Sequence, residues 1–194
     1  RAGLPERVAE GEQDLAYLDE MTEMIELAEG YEDISLTARE LADLDKPPAP
    51  QKPVKAKQKA KPGTPPGLGK LLRVLSPDGI EVYIGKSMKQ NEYLAFKLAA
   101  PDDIWLHARG VPGAHVLVKM RGLPQIPQRT LLYAAGLAAG RSQARHSTAA
   151  EVMYTQARYL RKPPAAPPGT LLYSHEKSIR VPPILPEVDR KDKD

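Results

Sequence analysis

Apolar and polar side chains alternate along residues 103–119, on both sides of the turn Val111-Pro112-Gly113. A period of two predicts a β-hairpin. With the turn centred on Val111, one face is entirely apolar and is expected in a core; its members are Ile104, Leu106, Ala108, Ala114, Val116 and Val118. The other face holds three expected cross-strand pairs, Trp105 with Leu117, His107 with His115, and Asp103 with Lys119.

The remaining patterns predict an α+β domain with a mostly antiparallel sheet and two main helices. Strand-like runs lie on both sides of a Ser-Pro-Asp-Gly turn within residues 71–85, and one further strand is predicted within residues 149–162. Residues 170–183 read as a hairpin with a polar turn. Helical patterns cover residues 87–100 and 128–145, and their order with the strands has no βαβ rhythm.

The N-terminal part predicts helices with a thin apolar stripe. Residues 6–28 place Leu15, Leu18, Met21, Ile25 and Ala28 at helical spacing, and a second short helix follows through Leu36, Leu41 and Leu44. So thin a stripe is expected to pack on a partner helix upstream of Arg1, in a longer protein. We therefore divide the chain into a helical segment, a flexible Lys/Pro-rich linker, a folded domain and a disordered tail, at residues 1–46, 47–69, 70–185 and 186–194.

The net charge of +3 hides a strong asymmetry. Residues 70–180 carry 16 basic and 7 acidic side chains, a net charge of +9, whereas residues 1–46 carry 4 and 14, a net charge of −10. Segregated charge of this kind points to an anionic partner for the basic part. The chain has no Cys, which excludes disulfides and thiolate sites, and no apolar run approaches the roughly 18 residues of a membrane span. A cytoplasmic protein with no membrane partner is expected.

The spacing of residues bears on two kinds of site, a phosphate loop and a metal site. Gly79 and Gly85 are separated by five residues that form a strand, so the Gly-Lys-Ser that follows is not a phosphate loop. His107 and His115 could share a metal ion only with a third ligand from Asp102, Asp103 or His146, and no nucleophile motif accompanies them. The alternative, that the imidazoles hydrogen-bond the backbone, stays open.

The hypothesis that the basic domain favours is an RNA-contacting surface. An aromatic face with imidazoles and cations can stack bases and bind phosphates, and a helix N-terminus after Lys86 suits a phosphate. The predicted RNA-binding residues are Lys86, Lys89, Gln90, Asn91, Trp105, His107, Arg109, His115, Lys119, Arg141, Arg145, Arg161, Lys162 and Lys177. No catalytic residue, cofactor or metal is predicted.

The sequence resembles the NFACT family. The resemblance rests on "DIWLHARGVPGAHVLV", preceded by "GKSMKQNEYLAFKLA" and followed by "YTQARYLRKPPAAPPGTLLYSHEKSIRV", and covers Gly69–Pro183 as an NFACT-R domain. Residues 12–46 are similar to the end of the family's coiled-coil middle region. Two positions depart from the family pattern: Ser87-Met88 stands in place of Asn-rich text, and Ala114 in place of Ser.

The resemblance implies the RNA-binding C-terminal region of a ribosome quality control factor. Such a factor binds large ribosomal subunits that carry stalled peptidyl-tRNA and supports tRNA recruitment for untemplated C-terminal alanine tailing. The ribosome makes the peptide bond, so the chain is expected not to be an enzyme. The implied partners are large-subunit rRNA, tRNA and a stalk-base ribosomal protein reached through the coiled coil. Alternatives are an extracellular fibronectin-binding adhesin, a DNA-binding module and a His-based metal enzyme.

Overall fold

A six-stranded antiparallel sheet organises the domain. The structure, a computed structural model, describes residues 4–28, 30–44, 67–164 and 166–185. Most of the predicted linker and the predicted tail lie outside these ranges. The strands are β1 (Leu72–Leu75), β2 (Glu81–Ile84), β3 (Ile104–Ala108), β4 (Val116–Val118), β5 (Ala150–Gln156), β6 (Leu160–Arg161), β7 (Leu172–Tyr173) and β8 (Lys177–Val181). The large sheet has the order β1-β2-β4-β3-β5-β8, and β6 pairs with β7 in a separate ribbon.

Four α-helices accompany the sheet within the described ranges. They are α1 (Leu4–Glu26), α2 (Tyr31–Leu44), α3 (Met88–Tyr93) and α4 (Gln128–Gly140). A π-helical turn, Leu94–Leu98, continues α3, and short 3-10 turns span Gln143–His146 and Ala157–Tyr159. The predicted α+β class with a mostly antiparallel sheet is confirmed. The second domain helix ends at Gly140, earlier than residue 145, and a 3-10 turn follows it.

The central hairpin of β3 and β4 has the predicted register. Trp105 lies opposite Leu117 and Ile104 opposite Val118. On the apolar face, Leu106, Val116 and Val118 are fully buried. Because a shift of one residue would move every side chain to the other face, the register is determined by this one-sided apolar pattern.

Small side chains let α4 pack closely on this apolar face. Ala134, Ala135, Ala138 and Ala139 are fully buried there. The last described residues lie against the same helix, where the Ile184 amide donates to the Gly136 carbonyl at 2.8 Å. A Cβ on Gly140 would lie 2.1 Å from the Ile184 carbonyl oxygen, so this position requires glycine.

The predicted hairpin over residues 170–183 is wrong. β7 pairs with β6, with Leu160 opposite Tyr173, whereas β8 pairs with β5 along Ala150–Tyr154. The physical reason is that β5 offers an open five-residue edge to β8. The Thr155 hydroxyl also donates to the Ser174 carbonyl at 2.9 Å, which holds the connecting segment against β5.

The N-terminal helices pack on the domain with a face that overlaps the predicted stripe only in part, at Met21 and Leu36. In α1, Tyr17, Met21 and Met24 are buried. Leu15 and Ile25, which the stripe included, are 64% and 46% exposed. The buried face lies beside acidic residues that bond the domain, so charge and apolar area together select it. Whether the exposed stripe packs on an upstream helix stays a prediction.

Glu40 joins α2 to the start of α3. Its carboxylate accepts hydrogen bonds from the Ser87 hydroxyl at 2.6 Å and from the Met88 and Lys89 amides at 3.0 and 3.1 Å. These amides belong to the first turn of a helix, which has no internal acceptors for them. Burial is the main cause that raises the Glu40 pKa, and the hydrogen bonds oppose it.

Glu40→Ala should loosen the helical segment, because the first-turn amides of α3 lose their acceptor inside the protein. We expect a loss of about 2 kcal/mol in the free energy of unfolding. Hydrogen exchange of the Met88 and Lys89 amides should accelerate by about thirty-fold, the factor that about 2 kcal/mol corresponds to. Glu32→Ala, at an exposed position of the same helix, is the matched control and should leave both quantities unchanged. Equal exchange in the two variants would contradict the capping role.

Candidate nucleic-acid interface

The Trp-His face of the central hairpin is covered. Trp105 is 1% exposed and His115 is 5% exposed. A second small core, formed with Ala95, Met153 and Leu160, lies over the indole ring. The expectation of an open aromatic face on β3 and β4 is therefore wrong in this conformation. The sequence pattern identified the two faces of the hairpin, but it could not show that a second layer covers the polar one.

Both imidazoles hydrogen-bond the backbone, as one of the alternatives proposed. His107 Nε2 lies 3.3 Å from the Gly113 carbonyl oxygen, and His115 Nδ1 lies 3.3 Å from that of Asn91. In neutral rings these nitrogens carry the proton and donate it to the carbonyls. The rings also contact Trp105: His107 is stacked at 5.8 Å and His115 meets it edge-on at 5.1 Å.

Burial keeps both imidazoles neutral. Burial lowers the His107 pKa to about 4. Hydrogen bonds to the backbone of Gly113 and Ala108 raise this pKa, but their effect is smaller. The His115 pKa is also lowered well below its ordinary value of 6.5, because burial and the neighbouring His107 both disfavour its charge. At pH 7 neither ring is a cation for a phosphate. Within the described ranges, no group of three or more His, Asp or Glu side chains is placed to hold a metal ion.

A cleft of about 470 Å³ opens beside these rings. α1 supplies Tyr17 and Glu20 to its wall, and the hairpin turn supplies Pro112. The Glu20 carboxylate accepts a hydrogen bond from the Gly113 amide at 2.9 Å, and burial raises the Glu20 pKa to about 7. The indole N–H of Trp105 is buried and has no hydrogen-bond acceptor among the described residues.

Three of the predicted RNA-binding cations pair with carboxylates of the acidic helices. Lys86 pairs with Asp33, and Lys89 pairs with Asp43 at 2.6 Å. Arg145 pairs with two carboxylates of α1, Glu23 and Glu26. The charge asymmetry of the sequence thus appears as an internal interface between α1–α2 and one side of the domain.

Four further residues of the predicted set lie inside the protein. Gln90 and Asn91 are buried. The Gln90 side chain accepts a hydrogen bond from the Lys86 amide and donates one to the Leu68 carbonyl. The Asn91 side chain accepts a hydrogen bond from the His115 amide. Arg141 is 3% exposed and donates to the Leu27 carbonyl at 3.1 Å. Lys119 pairs with Asp103, which also accepts from two loop amides. These contacts hold α3, α1 and the loop before β3 in place.

The other four cations remain at the surface. Arg109 pairs with exposed Glu151 at 2.9 Å, and Lys162 pairs with Glu92 at 2.7 Å. Arg161 is exposed and bonds only backbone carbonyls among the described residues, and exposed Lys177 begins β8. The role of every residue of the predicted set in RNA binding stays a prediction, but the structure separates the exposed members from the buried ones.

Two aromatic rings at this surface escaped the sequence analysis. Tyr159 and His175 stack with ring centroids 4.2 Å apart and an angle of 24° between their planes. They are sixteen positions apart in the sequence, and neither lies in a periodic pattern. Only the pairing of β6 with β7 brings them together. A polar turn that contains an aromatic residue is the one signal that the sequence offered.

Comparisons with known proteins match both the sequence and the fold of this chain. A family model described as "NFACT protein RNA binding domain" matches residues 70–175. The protein named "Rqc2 homolog RqcH" from Bacillus subtilis is 33% identical over 182 residues, which cover 94% of this chain and 30% of that protein. The protein of the same name from Streptococcus suis is 38% identical over 112 residues, covering 57% of this chain and 20% of that protein. The chain thus spans less than a third of the length of these relatives.

A solved structure extends the likeness to the whole arrangement. It is the C-terminal part of the fibronectin/fibrinogen-binding protein from Streptococcus suis, with a TM-score of 0.77 and 28% identity. The alignment covers 93% of this chain and 68% of that chain. Among the described residues, no helix has the length and apolar character needed to cross a membrane.

The neutral state of His107 predicts a loss of stability in acid. Its pKa is about 4 when folded and 6.5 when unfolded, so the unfolded chain binds more protons between these values. The free energy of unfolding should therefore fall by about 3 kcal/mol from this group as the pH drops from 6.5 to 4. Urea titrations that follow the emission of Trp105 measure it.

The variant His107→Gln keeps a donor for the Gly113 carbonyl but removes the titration. Its stability should fall less than that of the wild-type chain over the same pH range. His146→Gln, at an exposed position, is the control and should follow the wild-type curve. Parallel curves for His107→Gln and the wild type would show that burial does not hold this imidazole neutral.

Proposed function

The chain belongs to the NFACT family through its RNA-binding domain, and from that premise we propose that it is the RNA-binding C-terminal region of a ribosome quality control factor. The match of the family model over residues 70–175 carries the proposal. The net charge of +9 on residues 70–180 supports it, because phosphate contacts supply most of the non-specific affinity for RNA.

The proposal extends to the whole protein of which this chain covers a part. That protein binds large ribosomal subunits carrying stalled peptidyl-tRNA, and it supports tRNA recruitment for untemplated C-terminal alanine tailing. The ribosome forms the peptide bonds, so this chain contributes contacts to RNA and no catalytic group. Large-subunit rRNA, tRNA and a stalk-base ribosomal protein are its partners, and the cytoplasm is its compartment. The relatives named RqcH support this extension.

The distribution of ion pairs favours one side of the domain for RNA. Lys86, Lys89 and Arg145 already have carboxylate partners on α1 and α2. RNA would have to displace these partners in order to reach the three cations. Arg161 on β6 and Lys177 at the start of β8 have no carboxylate partner on α1 or α2 among the described residues, so they require no such displacement.

Fibronectin binding is a second candidate function, favoured by the name of the structurally similar Streptococcus suis protein. An exposed basic surface can also bind acidic protein partners. A binding measurement separates RNA binding from fibronectin binding: the chain is immobilised on a sensor and exposed to fibronectin at physiological salt. Binding of fibronectin at micromolar concentration, with no binding of tRNA at low salt, would replace the RNA proposal.

Affinity of the 194-residue chain for tRNA should fall steeply with salt. Counterions are released from the RNA each time a basic side chain neutralises a phosphate. A site with about four phosphate contacts therefore loses about a hundred-fold in affinity between 50 and 200 mM salt. Filter binding across this range gives the slope. Absence of binding at 50 mM salt would overturn the proposal. A DNA of the same sequence that bound equally well would favour a DNA-binding module.

The double variant Arg161→Ala with Lys162→Ala should weaken tRNA binding broadly, because both cations lie on the exposed ribbon. We expect about a ten-fold loss at 50 mM salt, and a shallower salt slope. The matched control is Arg73→Ala with Arg121→Ala, which removes the same charge near the β1–β2 edge, where both arginines pair with Glu81. Equal losses in the two double variants would mean that net charge alone, without a defined site, sets the affinity.

A further inference from the structure

We infer that Tyr159, His175 and Arg161 form a stacking site for an unpaired base of RNA. The inference rests on the proposed RNA-binding function, and it adds the place and the chemical form of the contact: an aromatic pair for the base and a guanidinium for its phosphate. The contacts of this corner of the fold carry the argument.

The aromatic pair is built by the β6–β7 ribbon. Tyr159 ends the 3-10 turn before β6, and His175 lies in the loop between β7 and β8. Because Leu160 lies opposite Tyr173, the positions just outside the ribbon come together at its open end. The two rings stack at 4.2 Å, with His175 exposed and Tyr159 partly exposed. A pair already in this arrangement loses little conformational freedom when a flat base is added to it.

His175 is held in a backbone conformation that residues with a side chain rarely adopt. Its φ is +55°, in the left-handed region that favours glycine. Its neighbour Ser174 is fixed through its carbonyl, which accepts from Thr155, and its hydroxyl lies 3.1 Å from His175 Nδ1. Strained residues that their surroundings hold in place cluster at ligand-binding sites. A glycine would satisfy the turn without strain, so the ring itself is the feature that this position adds.

Arg161, two residues after Tyr159 in the chain, supplies the cation. Its Nη1 donates to the carbonyls of Arg158 and Leu160, at 2.8 and 2.9 Å, which lie on either side of Tyr159 in the chain. Neighbouring Arg158 and Lys162 pair with carboxylates, whereas Arg161 has no carboxylate partner in the described part of the chain. Its Nε and Nη2 groups have no partner there either, and such a planar pair of donors suits phosphate oxygens.

The chemistry favours a single-stranded segment over a duplex. In a duplex the faces of the bases are stacked on one another and are closed to side chains, whereas loops and ends present unstacked bases. An aromatic ring with an adjacent arginine binds such bases with little sequence preference. Exposed Lys177, two residues after His175, extends the positive charge along the backbone path.

The test uses the 194-residue chain and a single-stranded RNA oligonucleotide with one 2-aminopurine, a base whose fluorescence is quenched by stacking. The wild-type chain should quench it on binding. Tyr159→Ala and His175→Asn should each lose quenching and about ten-fold in affinity, in line with the effect of removing one stacking partner. Tyr159→Phe keeps a ring and should bind as the wild type does. Asn tolerates the left-handed conformation, so His175→Asn preserves the turn.

The matched control is Tyr31→Ala, since Tyr31 is 85% exposed on the acidic helix α2. It should change neither quenching nor affinity. The emission of buried Trp105 checks that each variant is folded, and if Tyr159→Ala is not, then His175→Asn and His175→Gly decide. Arg161→Ala should retain quenching of the bound base but lower the salt slope by about 0.7, the value for one single-strand phosphate.

The outcomes separate this site from the function on which it rests. If the wild-type chain binds RNA and His175→Asn and Tyr159→Ala bind and quench equally well, the stacking site is overturned and the RNA-binding function stands. A second outcome would also overturn the site: the wild-type chain binds a blunt RNA duplex as tightly as the single strand, and Tyr159→Ala lowers the affinity for neither RNA. If the wild-type chain binds no RNA at 50 mM salt, both the site and the function fall.

Discussion

The register of the central hairpin is the constraint on which the rest of the structure depends. β3 and β4 occupy the middle of the six-stranded sheet, and their alternation sends Leu106 and Val116 towards α4 and Trp105 towards the opposite side. A slip of one residue would place an indole and two imidazoles against the small side chains of α4. The pairing of Lys119 with Asp103 at the end of the hairpin closes off that alternative.

The polar face of the hairpin became a second core because the chain covers it from three directions. The π-helical turn contributes Ala95, β5 contributes Met153, and the β6–β7 ribbon contributes Leu160. Burial then keeps the imidazoles neutral and commits their protons to backbone carbonyls. Trp105 and the two imidazoles are therefore part of the packing on this side of the sheet, with both imidazoles hydrogen-bonded to the backbone.

The acidic helices give the domain two unlike sides. Glu40 caps α3, and the carboxylates of α1 and α2 neutralise Lys86, Lys89 and Arg145. Arg161 on β6 has only backbone carbonyl partners among the described residues, whereas Lys162 just after it pairs with Glu92 of α3. A strongly basic domain attracts polyanions from every direction, so internal pairing on one side restricts where a phosphate backbone can bind. The same ion pairs fix the orientation of α1 and α2 relative to the domain.

The sequence by itself determined the α+β class, the register of the central hairpin, the basic domain with its acidic leader, and the family. Each of these depends on a local sequence pattern: a period of two, a turn, a run of like charges, or a motif. Tertiary structure decided what becomes of the side chains. It buried Trp105 and His115, paired β7 with β6 instead of β8, and brought Tyr159 to His175. Burial and pairing between distant segments depend on which surfaces meet, and no local pattern records that.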